Sequence, residues 1–451
     1  MDDAQRPPGR RQCGPGPRQA VSRLGPAASR LRAASARLRP DLAPFRHARQ
    51  FRLLYAGQAA GTVSAMICYV AVPYQAYQLS RSSLVVGLVS AAELVPVLIA
   101  GLVGGVLADA VERRVLIVAT QAGAAACMVA LAVNALLWQR LWVLFLAGGL
   151  LAGVFGLQRP SVEAIVPTLI AREDLHGASA LASLLGTAAQ VGGPLLAGLL
   201  LTGGAPVAYL IAAAACAVAV LPFGAMAGSR SDGLGDGDGD GDGPSLRGLA
   251  AGMRYARSRP DLLGTYLIDL GAMLFGAPYA VFPQVAAGLG GPAVLGLLYA
   301  APGFGAVAVS LTSRWTRQVH RHGRAIALAV CGWGIAITAF GLAPGLALAV
   351  LALAVAGAAD TVSGLFRMTM WNQSIPARVR GRLAGLEMIS YSTGEPLGNV
   401  ETGAVATVTG SVRLAVVTGG LASLLGAAIV CLALPALWRY DARAAPGAPG
   451  R

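Results

Sequence analysis

Apolar residues in this chain come in long runs and do not alternate with polar ones. Short polar breaks separate twelve runs, at about 52–79, 84–108, 115–138, 141–160, 177–202, 206–227, 262–287, 292–312, 324–343, 345–370, 383–409 and 413–437. A helix of about 20 residues spans a hydrocarbon core about 30 Å thick. Backbone placed in lipid must satisfy its own N–H and C=O groups, which a helix does internally. The pattern predicts an all-α integral membrane protein with twelve transmembrane helices.

One break is much longer than the rest and leaves six runs on each side. Between Gly228 and Pro260 lies Gly235-Asp236-Gly237-Asp238-Gly239-Asp240-Gly241-Asp242-Gly243, followed by Arg247, Arg254, Arg257 and Arg259. Alternating Asp resembles the opening of a calcium loop, but the closing bidentate Glu is missing. The stretch reads as a flexible acidic linker, with residues 245–259 as an amphipathic surface helix against anionic headgroups. Residues 1–50 lack the 7–15-residue apolar core of a cleavable signal. Their Arg-rich, acid-poor composition is shared by transit peptides and disordered tails, and the tail is the preferred reading. The expected division is a cytoplasmic tail (1–50), a six-helix half (51–227), a cytoplasmic linker (228–260), a second six-helix half (261–438) and a cytoplasmic C-tail (439–451). The halves echo each other faintly, with Val72-Pro73-Tyr74 in the first span and Ala277-Pro278-Tyr279 in the seventh. Carriers built from two halves show weak repeats of this kind.

Composition agrees. Of 451 residues, 55% are hydrophobic and 12% charged, about half the charged share of soluble domains; mean hydropathy is +0.63. The net charge is +14, and every basic residue among the 35 Lys and Arg is Arg. With the N-terminus inside, only Arg81, Arg140 and Arg413 fall on the outer side, so the positive-inside rule places both termini in the cytoplasm. Trp138 and Trp142 at the outer face, and Trp315, Trp371 and Trp438 near the inner one, suit interfacial belts. Five of the six cysteines (Cys68, Cys127, Cys216, Cys331, Cys431; the sixth is Cys13) fall in apolar helices and read as small buried residues. His320 and His322 share a short basic loop, expected to be solvated.

The break between the second and third spans, Gly105-Val106-Leu107-Ala108-Asp109-Ala110-Val111-Glu112-Arg113-Arg114, resembles motif A of the major facilitator superfamily. Ala110 stands where Arg is usual and Glu112 where Gly is usual. Gln158-Arg159-Pro160-Ser161-Val162-Glu163 and Trp371-Asn372-Gln373-Ser374-Ile375-Pro376 look like the bacterial efflux branch that includes the enterobactin exporter. Gly193-Pro194-Leu195-Leu196-Ala197-Gly198 partly matches the family's antiporter motif, with Ala197 replacing a Gly. The likeness covers residues 50–440 and implies a fold of two six-helix halves. It also implies a gate in which Gly105, Asp109, Arg113, Arg114 and Glu163 close the cytoplasmic side.

An intramembrane charge costs about 2.5–3.5 kcal/mol on the insertion scale, so it usually faces a cavity or a partner. The candidates for ion coupling are Glu93, Asp269, Asp360 and Glu395; removal from water favours the protonated form of such a carboxyl. The alternative for each is a structural carboxylate bonded to neighbouring helices. Gln58, Tyr69, Tyr74, Gln75, Tyr266 and Tyr279 on the first and seventh spans are the candidates for a mostly apolar substrate cavity with a few polar groups; packing is the alternative for each. No phosphate-binding Gly-x-x-x-x-Gly-Lys loop exists in a chain without Lys. The reading is no enzyme, with no cofactor, metal or nucleic acid. It is a monomeric secondary transporter of the bacterial inner membrane, exporting drug-like or secondary-metabolite small molecules against protons by alternating access. Uptake by proton symport and a non-transporting sensor or scaffold are the alternatives.

Overall fold

The apolar runs become helix, with a break in the seventh. The computed structural model describes residues 49–169, 175–226, 246–375 and 377–444. The Gly/Asp stretch and the Arg-rich tail lie outside the described residues. The first half comprises α1 (Arg49–Ser80), α2 (Ser83–Ala110), α3 (Arg113–Val133, prolonged by a π-turn Asn134–Trp138), α4 (Leu141–Leu169), α5 (Leu175–Leu201) and α6 (Ala205–Gly224). A short helix α7 (Leu246–Ser258) leads to the second half. That half comprises α8 (Pro260–Gly276), α9 (Phe282–Leu289), α10 (Pro292–Thr312), α11 (His322–Leu342), α12 (Leu346–Ser374), α13 (Ala377–Thr409), α14 (Val412–Ala433) and the stub α15 (Pro435–Arg439). Among the described residues there is no strand.

Among the described residues eleven helical segments, counting α8 to α9 as one, are long and apolar enough to cross a membrane. The remaining long helix, α13, is 33 residues long but carries Glu387, Glu395, Asn399 and Glu401 among its apolar residues. Leucines such as Leu221 (71% exposed) and Leu432 (82%) stand on the outside. A lipid-facing exterior requires this inversion of the soluble rule, because the solvent there is itself apolar.

Two expected spans are interrupted. The seventh breaks at Ala277–Val281, because Ala277 precedes Pro278 and is pushed to an extended backbone (φ −94°, ψ 98°). Asn399 Oδ1 accepts from the Ala280 N–H at 3.1 Å, and Thr402 Oγ1 donates to the Ala277 carbonyl at 3.2 Å. Side chains of α13 thus satisfy backbone groups that the break releases. Pro73, the echo of Pro278, sits inside an unbroken α1. The twelfth span ends early at Leu434, before Pro435.

Five turns on the face opposite the chain ends reverse through a residue of positive φ: Arg81, Gln139, Gly204, Gly290–Gly291 and Gly410. At one of them buried Asn134 clamps the loop, accepting from the Arg140 N–H at 2.9 Å and donating to its carbonyl at 3.2 Å.

Within the first half α1 packs on α5 and α6, α3 on α4 and α6, and α2 on α4; within the second, α11 packs on α12 and α14, α10 on α12, and α8 on α13 and α14. The halves meet along two seams, α2 against α13 and α5 against α10. Both close near the face opposite the chain ends by approach of backbone to backbone. A Cβ on Gly198 would lie 2.7 Å from the Cα of Gly296, and one on Gly87 would lie 2.9 Å from the Cα of Val400. Side chains add Ser83 Oγ donating to Gln284 Oε1 at 2.7 Å, and the Ser82 and Thr407 hydroxyls 3.5 Å apart.

Two aromatic and basic assignments change. Trp371 is buried rather than interfacial, because its Nε1 donates to Thr265 Oγ1 at 2.9 Å and its ring stacks on Tyr266 at 4.9 Å. His322 is buried at the start of α11 against Phe366 and Tyr440, not solvated in a loop.

Candidate functional site

Between the seams lies a central chamber whose walls follow helical periodicity. On α2, Val86, Ser90 and Glu93 fall three and four residues apart and share one face. Met66, Tyr69 and Pro73 do the same on α1. These residues line a cavity of about 230 Å³, with Tyr279, Tyr299, Glu395 and Asn399 opposite. A second cavity of about 390 Å³ shares Met66, Tyr69, Tyr279, Tyr299 and Glu395 with the first, and adds Asp360, Thr361 and Gln190. The two form one chamber.

Its centre joins the halves. Tyr69 O–H on α1 donates to Glu395 Oε1 on α13 at 2.8 Å. Around that bond stand three aromatic rings, with Tyr69 edge-on to Tyr299 at 5.3 Å and Tyr299 stacked with Tyr279 at 5.9 Å. Glu93 has room because Gly148 faces it: a Cβ there would lie 3.2 Å from Glu93 Oε1. Towards the chain ends the chamber adjoins a cavity of about 810 Å³, which shares Met66 with it and is lined by Gln58, Thr62, Gln158 and Arg159. Gln58 also lines a neighbouring cavity of about 600 Å³.

The structure therefore brings Glu93, Asp360 and Glu395 together with Tyr69 and Tyr279. Asp269 is elsewhere: it is buried and ion-paired with Arg367, and it lines neither central cavity. Tyr266 is buried beside Trp371, Gln75 is buried in α1, and Tyr74 packs against the core. Of the antiporter-like motif, Pro194 lines the chamber, Gly193 lies against Met66 and Gly198 against Gly296. In the motif A turn, Arg114 donates to the Gly224 carbonyl at the end of α6. Gly105, Asp109 and Glu163 lie outside the residues whose side chains are described.

Comparison with known proteins bears on this arrangement. Residues 40–446 match the family of transmembrane secretion effectors. The chain belongs to this family, a branch of the major facilitator superfamily. It is 30% identical over 372 residues to the enterobactin exporter EntS of Citrobacter koseri, covering 82% of this chain and 88% of that one. The EntS of Shigella boydii serotype 18 is 31% identical over the same length. The fold is shared with a mutant of the nucleoside transporter NupG (TM-score 0.70, 14% identity, 86% of this chain and 100% of that one). A mutant of the peptide transporter POT bound to alafosfalin is also similar (TM-score 0.68, 14% identity, 88% and 96%). The protein is a multi-pass membrane transporter and not an enzyme.

In this facilitator, three features lie outside the sequence-based expectations. Arg367 stands within the apolar run of α12, and the cost of an intramembrane charge that marks the acids marks it equally. Tyr299, on α10, has no local pattern that marks it as a cavity residue. A buried polar chain also links four helices: Gln158 Nε2 donates to Gln121 Oε1 at 3.1 Å, Gln121 Nε2 to Cys216 Sγ at 3.0 Å, and Cys216 Sγ to Ser64 Oγ at 3.1 Å. Among the described residues no cluster of His, Cys, Asp and Glu is disposed to hold a metal.

Proposed function

We propose that the protein exports drug-like or secondary-metabolite small molecules from the bacterial cytoplasm in exchange for protons, by alternating access. The observation that carries the reading is the Tyr69–Glu395 hydrogen bond, a carboxylate contact between the halves inside the chamber. A carboxyl in that place changes its surroundings whenever the halves rock, so its proton occupancy and the conformation become linked. The arginine-rich chain-end face is taken as cytoplasmic by the positive-inside rule. The seams are then closed on the outer side, and the chamber adjoins the cavities of the inner side. The residues around 228–260 separate the two six-helix halves, and the motif A residues Asp109, Arg113 and Arg114 latch the inner face in the opposite conformation. Similarity to exporters named for enterobactin supports the outward direction.

The test is accumulation of a panel of dyes and antibiotics in cells with and without the protein, before and after collapse of the proton gradient. Reduced accumulation that disappears with the gradient supports the reading. Increased accumulation that follows the gradient would replace it with symport, and absence of flux in purified proteoliposomes would replace it with a sensor or scaffold.

A further inference from the structure

Three carboxyl groups and three tyrosine rings line the joined central cavities, and among the described residues no basic side chain does. We infer that this chamber takes an organic cation with an apolar or aromatic body, and turns away organic anions of the same shape. The inference rests on the transport reading and deepens it by naming the cargo's charge.

Two independent features point the same way. The first is charge. Glu93, Asp360 and Glu395 come from α2, α12 and α13, so three walls present acids. Arg367 is engaged with Asp269, and Arg159 lines only the neighbouring cavity towards the chain ends. An anion in the chamber has no partner to offset its desolvation and meets like charge, whereas a cation is offered up to three carboxylates. Like-charge juxtaposition is how binding sites reject wrong ligands.

The second is the set of rings. The faces and edges of Tyr69, Tyr279 and Tyr299 surround the Glu395 carboxylate. A cation within about 6 Å of a ring centroid is attracted by its quadrupole, more strongly when desolvated. Met66, Val72 and Phe155 complete apolar walls suited to a hydrocarbon body. The larger cavity, of about 390 Å³, falls within the usual range of about 300–1,000 Å³ for small-molecule sites, and the smaller, of about 230 Å³, adjoins it.

A consequence concerns protons. The titratable groups facing Glu395 are Tyr69 on α1, Glu93 on α2, Tyr279 in the break after α8, Tyr299 on α10 and Asp360 on α12. Of these, the acids take up a proton as pH falls and lose the charge that holds the cation. Binding should therefore weaken towards acid pH, and cation binding should release protons.

The matched probes are tetraphenylphosphonium and tetraphenylborate, nearly identical in shape and opposite in charge. Equilibrium binding to the purified full-length protein in detergent is measured from pH 5 to pH 8. The expected result is saturable binding of the phosphonium, at least about tenfold tighter than specific binding of the borate and weaker at pH 5 than at pH 8. Glu395→Gln and Asp360→Asn should each weaken phosphonium binding by about tenfold or more while eluting as monodisperse protein. Equal binding of both probes, or phosphonium binding that neither variant alters, would overturn the inference. Gradient-driven flux of other solutes in proteoliposomes without phosphonium binding would sink the cation chamber and leave the transporter reading intact. Phosphonium binding without any flux would do the reverse.

Discussion

Single side chains in this molecule answer to the low dielectric around them. Tyr69 and Glu395 form the contact on which the proposed coupling rests: the phenol hydroxyl is the carboxylate's partner across the halves. Tyr69→Phe should lower gradient-driven transport several-fold, and Glu395→Gln should nearly abolish it, with membrane abundance unchanged on a blot; normal transport by Glu395→Gln would remove the carboxylate from the mechanism. Asp269 and Arg367 form a buried ion pair away from the central cavities. Removing one member of a buried pair leaves an uncompensated charge and typically costs about 3–5 kcal/mol. Asp269→Asn alone and Arg367→Met alone should therefore lower the midpoint of thermal unfolding in detergent, and the double variant should recover much of the loss. A double variant as unstable as the worse single one would refute this account of the pair. The acids were visible in the sequence because hydropathy makes each one conspicuous. Their partners were not, because Tyr69 on α1 and Glu395 on α13 are 326 residues apart and only the packing of the two halves brings them together.

At the scale of elements, the apolar runs specified most helices to within a few residues, since lipid leaves the backbone no other state. The departures occur where proline intervenes. The break after α8 is written in Pro278 and Pro283, but its acceptance by the fold depends on Asn399 and Thr402, which no local pattern reveals. Asn399→Leu removes the acceptor of the Ala280 N–H and leaves a buried donor unsatisfied, at a cost of about 1–3 kcal/mol. It should lower thermal stability, whereas Asn399→Asp, which keeps an acceptor oxygen, should retain more of it. Equal melting of the two variants would show that the bond contributes nothing. The turn between α2 and α3 carries a prediction of its own. Asp109→Asn should reduce transport while leaving insertion intact, and normal flux at wild-type abundance would count against a latch there.

For the whole molecule, the proposed mechanism has the halves separate along seams that are closed here. The Ser82 and Thr407 hydroxyls, 3.5 Å apart across the α2–α13 seam, provide the test. Ser82→Cys combined with Thr407→Cys should form a disulfide under mild oxidation, arrest flux and release it on reduction. Undiminished flux in the fully cross-linked protein would mean that this seam does not open during turnover. The same seams have a kinetic consequence. Where Gly198 meets Gly296, and where Gly87 meets Asn399 and Val400, the atoms that approach closest are backbone. Interlocked side chains must hop between rotamer wells before they can slip past one another; bare backbone has no such wells to leave. The two halves can part there like smooth plates, with little internal friction.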